Sequence, residues 1–217
     1  MALKRLRFLP AICLLLATMI AQPVAFARAE TLPMVEASVP SLQDFASQVM
    51  NGQADELRGI YAPGLFADRV VEQPPGQLGY ISTGKDVVTR FSGATRLGST
   101  GLLAHNYLAG AQFERIQAAQ VMYLIFGDGR TVSYSVTDVQ QYQALQPNSA
   151  YSGFVDLHTG SRLGASALFS KIYDRKGALI LQTCIGVDGV STWGRLFVIA
   201  TPAPDQGSRW PSCHGCQ

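Results

Sequence analysis

The sequence predicts a mainly β domain, an all-β sandwich or barrel carrying one or two short helices. Three observations support it. Short apolar runs recur between Gly, Pro and Ser along most of the chain, one run alternates strictly between apolar and polar residues, and helical periodicity is confined to two short stretches. The 217 residues, 47% apolar and 15% charged, suit one globular domain and exclude a disordered or coiled-coil chain.

At the N-terminus, Lys4, Arg5 and Arg7 precede an uncharged stretch from Phe8 to Ala27, and small residues at Ala25, Ala27 and Ala29 offer a cleavage site before Glu30. This is the pattern of an export signal. The alternative is a retained membrane anchor, since residues 8–27 number 20 and just reach spanning length. Cys13, inside that run, is a hydrophobic residue of the segment. Lys4, Arg5, Arg7 and Arg28 are four of the chain's 17 basic residues, and no acid precedes Glu30, so the remaining 13 face 15 acids. The formal +2 therefore belongs to the N-terminus. A slightly acidic body has no clustered Lys and Arg for nucleic acid or an anionic membrane surface.

Residues 30–40 are aperiodic and Pro-containing, as in a spacer. Ser41 caps a predicted helix in which Leu42, Phe45, Ala46, Val49 and Met50 recur at three and four residues, ending at Asn51-Gly52. Strands are expected at Leu57–Tyr61, Val70–Glu72, Val87–Phe91 and Gly101–His105. Val121–Phe126 and Thr131–Thr137 flank Gly127-Asp128-Gly129-Arg130 as a hairpin, with Val132, Tyr134 and Val136 turned inward. Residues 143–162 read as loop, and Ala165, Leu168, Phe169 and Ile172 as a helical excursion. Two apolar strands follow, Ala178–Cys184 and Leu196–Ala200, joined by the polar segment 185–195; the tail from Thr201 is expected to be loosely held.

Cys184, Cys213 and Cys216 remain after the export segment, an odd number for an oxidising compartment. Cys213 and Cys216 are close enough in sequence to form a disulfide or chelate a metal, which leaves Cys184 as the free thiol. A thiol attacks as the thiolate and needs a neighbouring base or positive charge. If the last two apolar strands pair as a hairpin, Cys184 and Arg195 share one end of the sheet. His105, followed by Asn106, ends another strand.

Leu181-Gln182-Thr183-Cys184, with Ala104-His105-Asn106 ending a strand upstream and Arg195 opening one downstream, resembles the sortase family over roughly residues 55–203. The resemblance implies a mixed, largely antiparallel β-barrel and an extracytoplasmic cysteine transpeptidase. Such an enzyme cleaves a sorting peptide, holds the acyl group as a thioester and passes it to an amine of the cell wall or a pilin. It implies Cys184 as nucleophile, His105 as general acid and base, Arg195 as donor to the substrate carbonyl or oxyanion, and Thr183 and Asn106 as substrate-binding residues. No metal or other cofactor is implied. The 78 residues between His105 and Cys184 imply an insertion, roughly residues 143–175, that shapes the substrate groove. The domain plan is a signal peptide or anchor at 1–29, a linker and short helix at 30–54, the barrel at 55–203 and a Cys-containing tail at 204–217.

Other readings remain open. The same fold could serve as a secreted peptide- or glycan-binding module without turnover, and water could replace the amine acceptor. His158 is a rival base but belongs to a predicted loop. His214-Gly215-Cys216 matches the His-Gly-Cys of L,D-transpeptidases, yet neither an arginine nor a supporting strand follows it. Cys213-His214-Gly215-Cys216 lacks the His after its second Cys that c-type haem attachment requires.

Overall fold

The computed structural model describes residues 39–204, so the predicted export segment, most of the linker, and Cys213, His214 and Cys216 lie outside the described residues. Helix α1 (Leu42–Val49) begins at Ser41, whose hydroxyl accepts from the Asp44 amide at 3.1 Å. Its apolar stripe, Phe45, Ala46 and Val49, packs on Tyr61 and Ile125. Gly59 lets the helix approach this closely, because a Cβ there would sit 2.9 Å from the Phe45 ring. The helix stops at Met50, one residue before the predicted Asn51-Gly52 end.

Strands β1 (Leu57–Ala62), β2 (Phe66–Glu72), β3 (Val87–Phe91), β4 (Thr100–Leu103), β5 (Val121–Phe126), β6 (Thr131–Ala144), β7 (Phe154–Asp156), β8 (Arg162–Leu163), β9 (Leu179–Val187) and β10 (Val190–Pro202) form one sheet. Its order is β10-β9-β4-β3-β2-β1-β5-β6-β7-β8, and β10 also pairs with β6. Eight strands therefore close into a barrel, with β7 and β8 extending from β6 outside the ring. The pairs β2–β3 and β4–β9 are parallel and the others antiparallel. The fold is a closed mixed β-barrel.

Alternation divides each strand between two cores. Leu102, Tyr134, Val136, Leu179, Leu181, Leu196 and Val198 point into the barrel with Ile60, Phe66 and Met122. Phe113, on the 3₁₀ helix Ala109–Arg115, belongs to the same cluster. Ile180, Phe197 and Ile199 point outward, where Leu168, Ile172 and Tyr173 of helix α3 (Ala165–Tyr173) cover them together with Tyr142 and Phe154. Each fully buried aliphatic side chain contributes about 1.5–3 kcal/mol, so this outer layer holds β6, β9 and β10 firmly against α3.

Several elements differ from expectation. Residues 143–162 hold the end of β6 and all of β7, with β8 starting at Arg162, because pairing with β10 continues to Gln143. The segment 185–195 is mostly strand, turning at Asp188-Gly189, where both residues have positive φ. Thr201 and Pro202 remain paired to β6 and are not a loose tail. Two elements have no periodic signature: the single-turn helix α2 (Ser92–Arg96), which makes a third α-helix, and the 3₁₀ helix. Among the described residues no helix is long and apolar enough to cross a membrane.

Asp68 is a buried carboxylate on β2, on the same face of the strand as Phe66 and Val70. It stands opposite Ile60, is 1% exposed, and neither carboxylate oxygen has a hydrogen-bond partner. Burial, with Asp86 adding repulsion, pushes its carboxyl up to about 7. A raised acid pKa means that folding favours the protonated form, so stability falls as pH rises from the unfolded value near 4 through about 7. At ~1.4 kcal/mol per pH unit the loss is a few kcal/mol at most. Urea denaturation at pH 4.5 and pH 8 should show that Asp68→Asn removes most of the wild type's loss of stability across that window.

Candidate active site

Cys184 lies within β9, three residues before its end, on the outward-facing set with Ile180 and Gln182. It is half-buried and forms no disulfide among the described residues. Arg195 is its directly opposed partner in the antiparallel β9–β10 ladder, and opposed residues project from the same face. The arginine is thus inside β10 rather than at its start. Arg195 is paired on both sides, to Cys184 and to Tyr142, and Cys184 follows directly on the stretch of β9 paired along both edges, so both stand on strands of the barrel as a preorganised site requires.

His105 reaches the same patch from the other side. Strand β4 runs parallel to β9 with Leu103 opposite Gln182, and the Ala104 amide still donates to the Gln182 carbonyl at 3.2 Å. The strand itself ends at Leu103, two residues short of the expected end at His105, which is half-buried just beyond it. There the chain turns: the His105 carbonyl accepts from the Leu108 amide at 3.0 Å and the Gly110 amide at 3.1 Å, which starts the 3₁₀ helix. The Asn106 amide donates to the Ser191 carbonyl at 2.9 Å, tying this turn to the hairpin that carries Cys184 and Arg195. Cys184 and Arg195 therefore share one outer face of β9 and β10, and His105 lies two residues past the end of β4, the strand beside β9.

Thr183 faces inward. It is 2% exposed and its hydroxyl donates to the Ala104 carbonyl at 3.0 Å, so it clamps β9 to β4 from inside the barrel, away from the face that bears the thiol. Thr183 and Asn106 are the residues the resemblance implies for substrate contact, and in the structure both polar groups donate to backbone carbonyls.

The Arg195 guanidinium is held by backbone carbonyls. One terminal nitrogen donates to Thr192 at 2.9 Å and Gly194 at 2.8 Å, the other to Pro147 at 3.4 Å, and the group lies 6.0 Å from the Phe154 ring centroid. No carboxylate pairs with it among the described residues. Its Nε–H and one terminal N–H keep no protein acceptor there, which leaves donors for a ligand carbonyl.

The cross-strand row continues from Arg195 to Tyr142 on β6 and Asp156 on β7. Burial would raise the Asp156 carboxyl, but hydrogen bonds from the Thr159 and His158 amides and from Lys171 outweigh it and hold it below the usual range. That carboxylate is committed to the β7 turn and is not a partner for His105. His158 is exposed in this turn, with β6 and β10 between its strand and β9. It lines a cavity of about 600 Å³ with Asp138, Gln140, Asp156 and Lys171 at the far end of the row. No group of three or more His, Cys, Asp or Glu residues suited to a metal occurs among the described residues.

Sequence reasoning missed the parts that support the site: the Pro147 and Thr192 carbonyls, the Phe154 ring, Gly110, and Tyr107, whose ring lies 5.1 Å from the His105 ring. Only Tyr107, two residues after the histidine, had a signal in the chain.

No protein-family model matches the chain, and no curated protein is significantly similar to it. Solved structures do overlap it. Sortase A from Listeria monocytogenes is 13% identical with a TM-score of 0.44, over 71% of this chain and 89% of that one. Sortase C-1 from Actinomyces oris is 15% identical with a TM-score of 0.44, over 74% and 81%. Sortase A from Corynebacterium diphtheriae is 13% identical with a TM-score of 0.45, over 70% and 62%. The chain is similar in outline to bacterial sortases. At this identity and overlap the similarity bears no weight on activity or substrate.

Gly110 offers a test of how the His105 turn is built. A Cβ there would meet the Thr183 hydroxyl and the His105 carbonyl, whereas Gly79 has open space around it. Gly110→Ala is expected to cost about 1–3 kcal/mol in denaturant titration, the scale of an overpacked site, with Gly79→Ala near wild type as the control.

Proposed function

We propose that the protein is an extracytoplasmic cysteine acyltransferase of the sortase type, acting on a peptide acyl donor. The Cys184 thiolate attacks a peptide carbonyl, Arg195 donates to the oxygen as negative charge develops on it, and His105 protonates the departing amine as the C–N bond breaks. The acyl group is then a thioester on Cys184. An amine, or water, deprotonated by His105 attacks that thioester, and the thiolate leaves. The observation that carries this reading is the direct cross-strand pairing of Cys184 with Arg195, and it is supported by His105 lying two residues past the end of the neighbouring strand β4. A thiol, a base and a fixed cation together can carry thiol acyl transfer. Thr183 and Asn106 hold the three strands in register for it.

The basic and uncharged N-terminal residues support export, with attachment to the membrane if that segment is retained. The partners proposed are a peptide or protein bearing a sorting-type motif and an amine acceptor of the cell envelope. A peptide-binding module without turnover is the competing outcome.

Incubation with a peptidyl thiol-directed electrophile, followed by peptide mapping, should place the adduct on Cys184. Cys184→Ala should abolish that adduct, and His105→Ala should slow its formation by about 100-fold, the lower range for loss of a positioned base. An adduct that forms equally fast in the His105 variant, or that maps elsewhere in the wild type, contradicts the assignment. Arg195→Lys should lower kcat by about 100-fold, because an ammonium does not reproduce the planar donor pair. Added amine should divert the product from acid to amide.

A further inference from the structure

His105 lacks the support that an acid–base imidazole normally has. A third group, a carboxylate or an amide, usually holds the ring through one nitrogen. Here Asn106 is committed to the Ser191 carbonyl, and Asp156 is committed to Lys171 and the β7 turn on a different strand. Neither imidazole nitrogen has a hydrogen-bond partner among the described residues. What the ring does have is a face. Tyr107 stacks on it with centroids 5.1 Å apart and planes tilted by 21°.

We propose that Tyr107 is the positioning residue for His105, fixing the plane of the imidazole by stacking where other sites use a hydrogen bond. Three features support this. The backbone between the two residues is set by the turn at the His105 carbonyl, so Tyr107 reaches the ring from a fixed base. Near-parallel, offset ring contact favours one orientation of the imidazole over its alternatives. And Tyr107 is 68% exposed while belonging to none of the three buried clusters, so the core does not account for an aromatic residue at that position.

The consequence for catalysis rests on the acyl-transfer reading; the consequence for the ring does not. In the proton NMR spectrum of the full chain, the His105 ring protons should lie upfield of those of exposed His158, through the ring current of Tyr107, with His158→Gln and His214→Gln supplying the assignment of the three histidines. Tyr107→Ala should move them to the position of an unstacked histidine, and Tyr107→Phe should leave them in place. With a peptide substrate, Tyr107→Ala should lower kcat by about 10-fold with KM within two-fold of wild type, as expected for a displaced but present base. Tyr107→Phe should retain kcat, because the ring and not the hydroxyl performs the task.

His105 resonances that do not respond to Tyr107→Ala, or a kcat that the phenylalanine variant fails to restore, overturn the proposal. A wild type that turns over no peptide removes the acyl-transfer reading, and the ring-current comparison then decides the role of Tyr107 without it.

Discussion

Strand β10 is hydrogen-bonded along both edges, to β9 at Val190 and from Gly194 to Ala200 and to β6 from Gly194 to Pro202. That double pairing closes the barrel, and it also sets the candidate site. In an antiparallel ladder, a slip of one residue turns every side chain to the opposite face. Arg195 stands opposite Cys184 on one side and Tyr142 on the other only in the observed register. The irregularity between Ile199 and Ala200 leaves Thr137 unpaired in the ladder, with its hydroxyl donating to the Ile199 carbonyl at 3.2 Å. Beyond it, Val136 and Ala200 both return to the barrel interior. The register is fixed by burial on both faces at once, since Leu196 and Val198 fill the barrel while Phe197 and Ile199 fill the layer under α3.

The same alternation separates supporting from chemical groups along β9. Thr183 faces in and fastens the strand to β4; Cys184 faces out beside Arg195. Consecutive residues thereby hold the frame and present the thiol. Charge follows a similar division. The carboxylate of Asp156 is neutralised by Lys171 and amide donors, so the cation of Arg195 is left to act on whatever approaches the thiol.

Much of this arrangement is legible in the sequence, for physical reasons that differ by element. The β5–β6 hairpin is readable because Val132, Tyr134 and Val136 alternate against polar neighbours around a glycine-rich turn. Helix α1 is readable from its cap and stripe. His105, Cys184 and Arg195 can be selected because each adjoins an apolar run. Strand lengths are harder to read. The extensions of β6, β9 and β10 contain Gln, Thr, Gly and Ser, whose polarity suggests loop, and they are strand because each finds a partner edge already in place. The inward turn of Thr183 is equally hidden, since a threonine next to a cysteine gives no sign of which face it takes. Long-range groups such as the Pro147 carbonyl under Arg195 depend on the closed barrel and have no local signature.

The central claim is that the thiol of Cys184 and the imidazole of His105 share one patch. Treatment of the protein with 1,3-dibromoacetone tests it directly, since the reagent alkylates a thiol and then bridges to a nucleophile within a few ångströms. Tandem mass spectrometry of the digest should find an acetone bridge joining the peptides that contain Cys184 and His105. A bridge from Cys184 to His158, or a Cys184 adduct that never closes onto a histidine, would contradict the account.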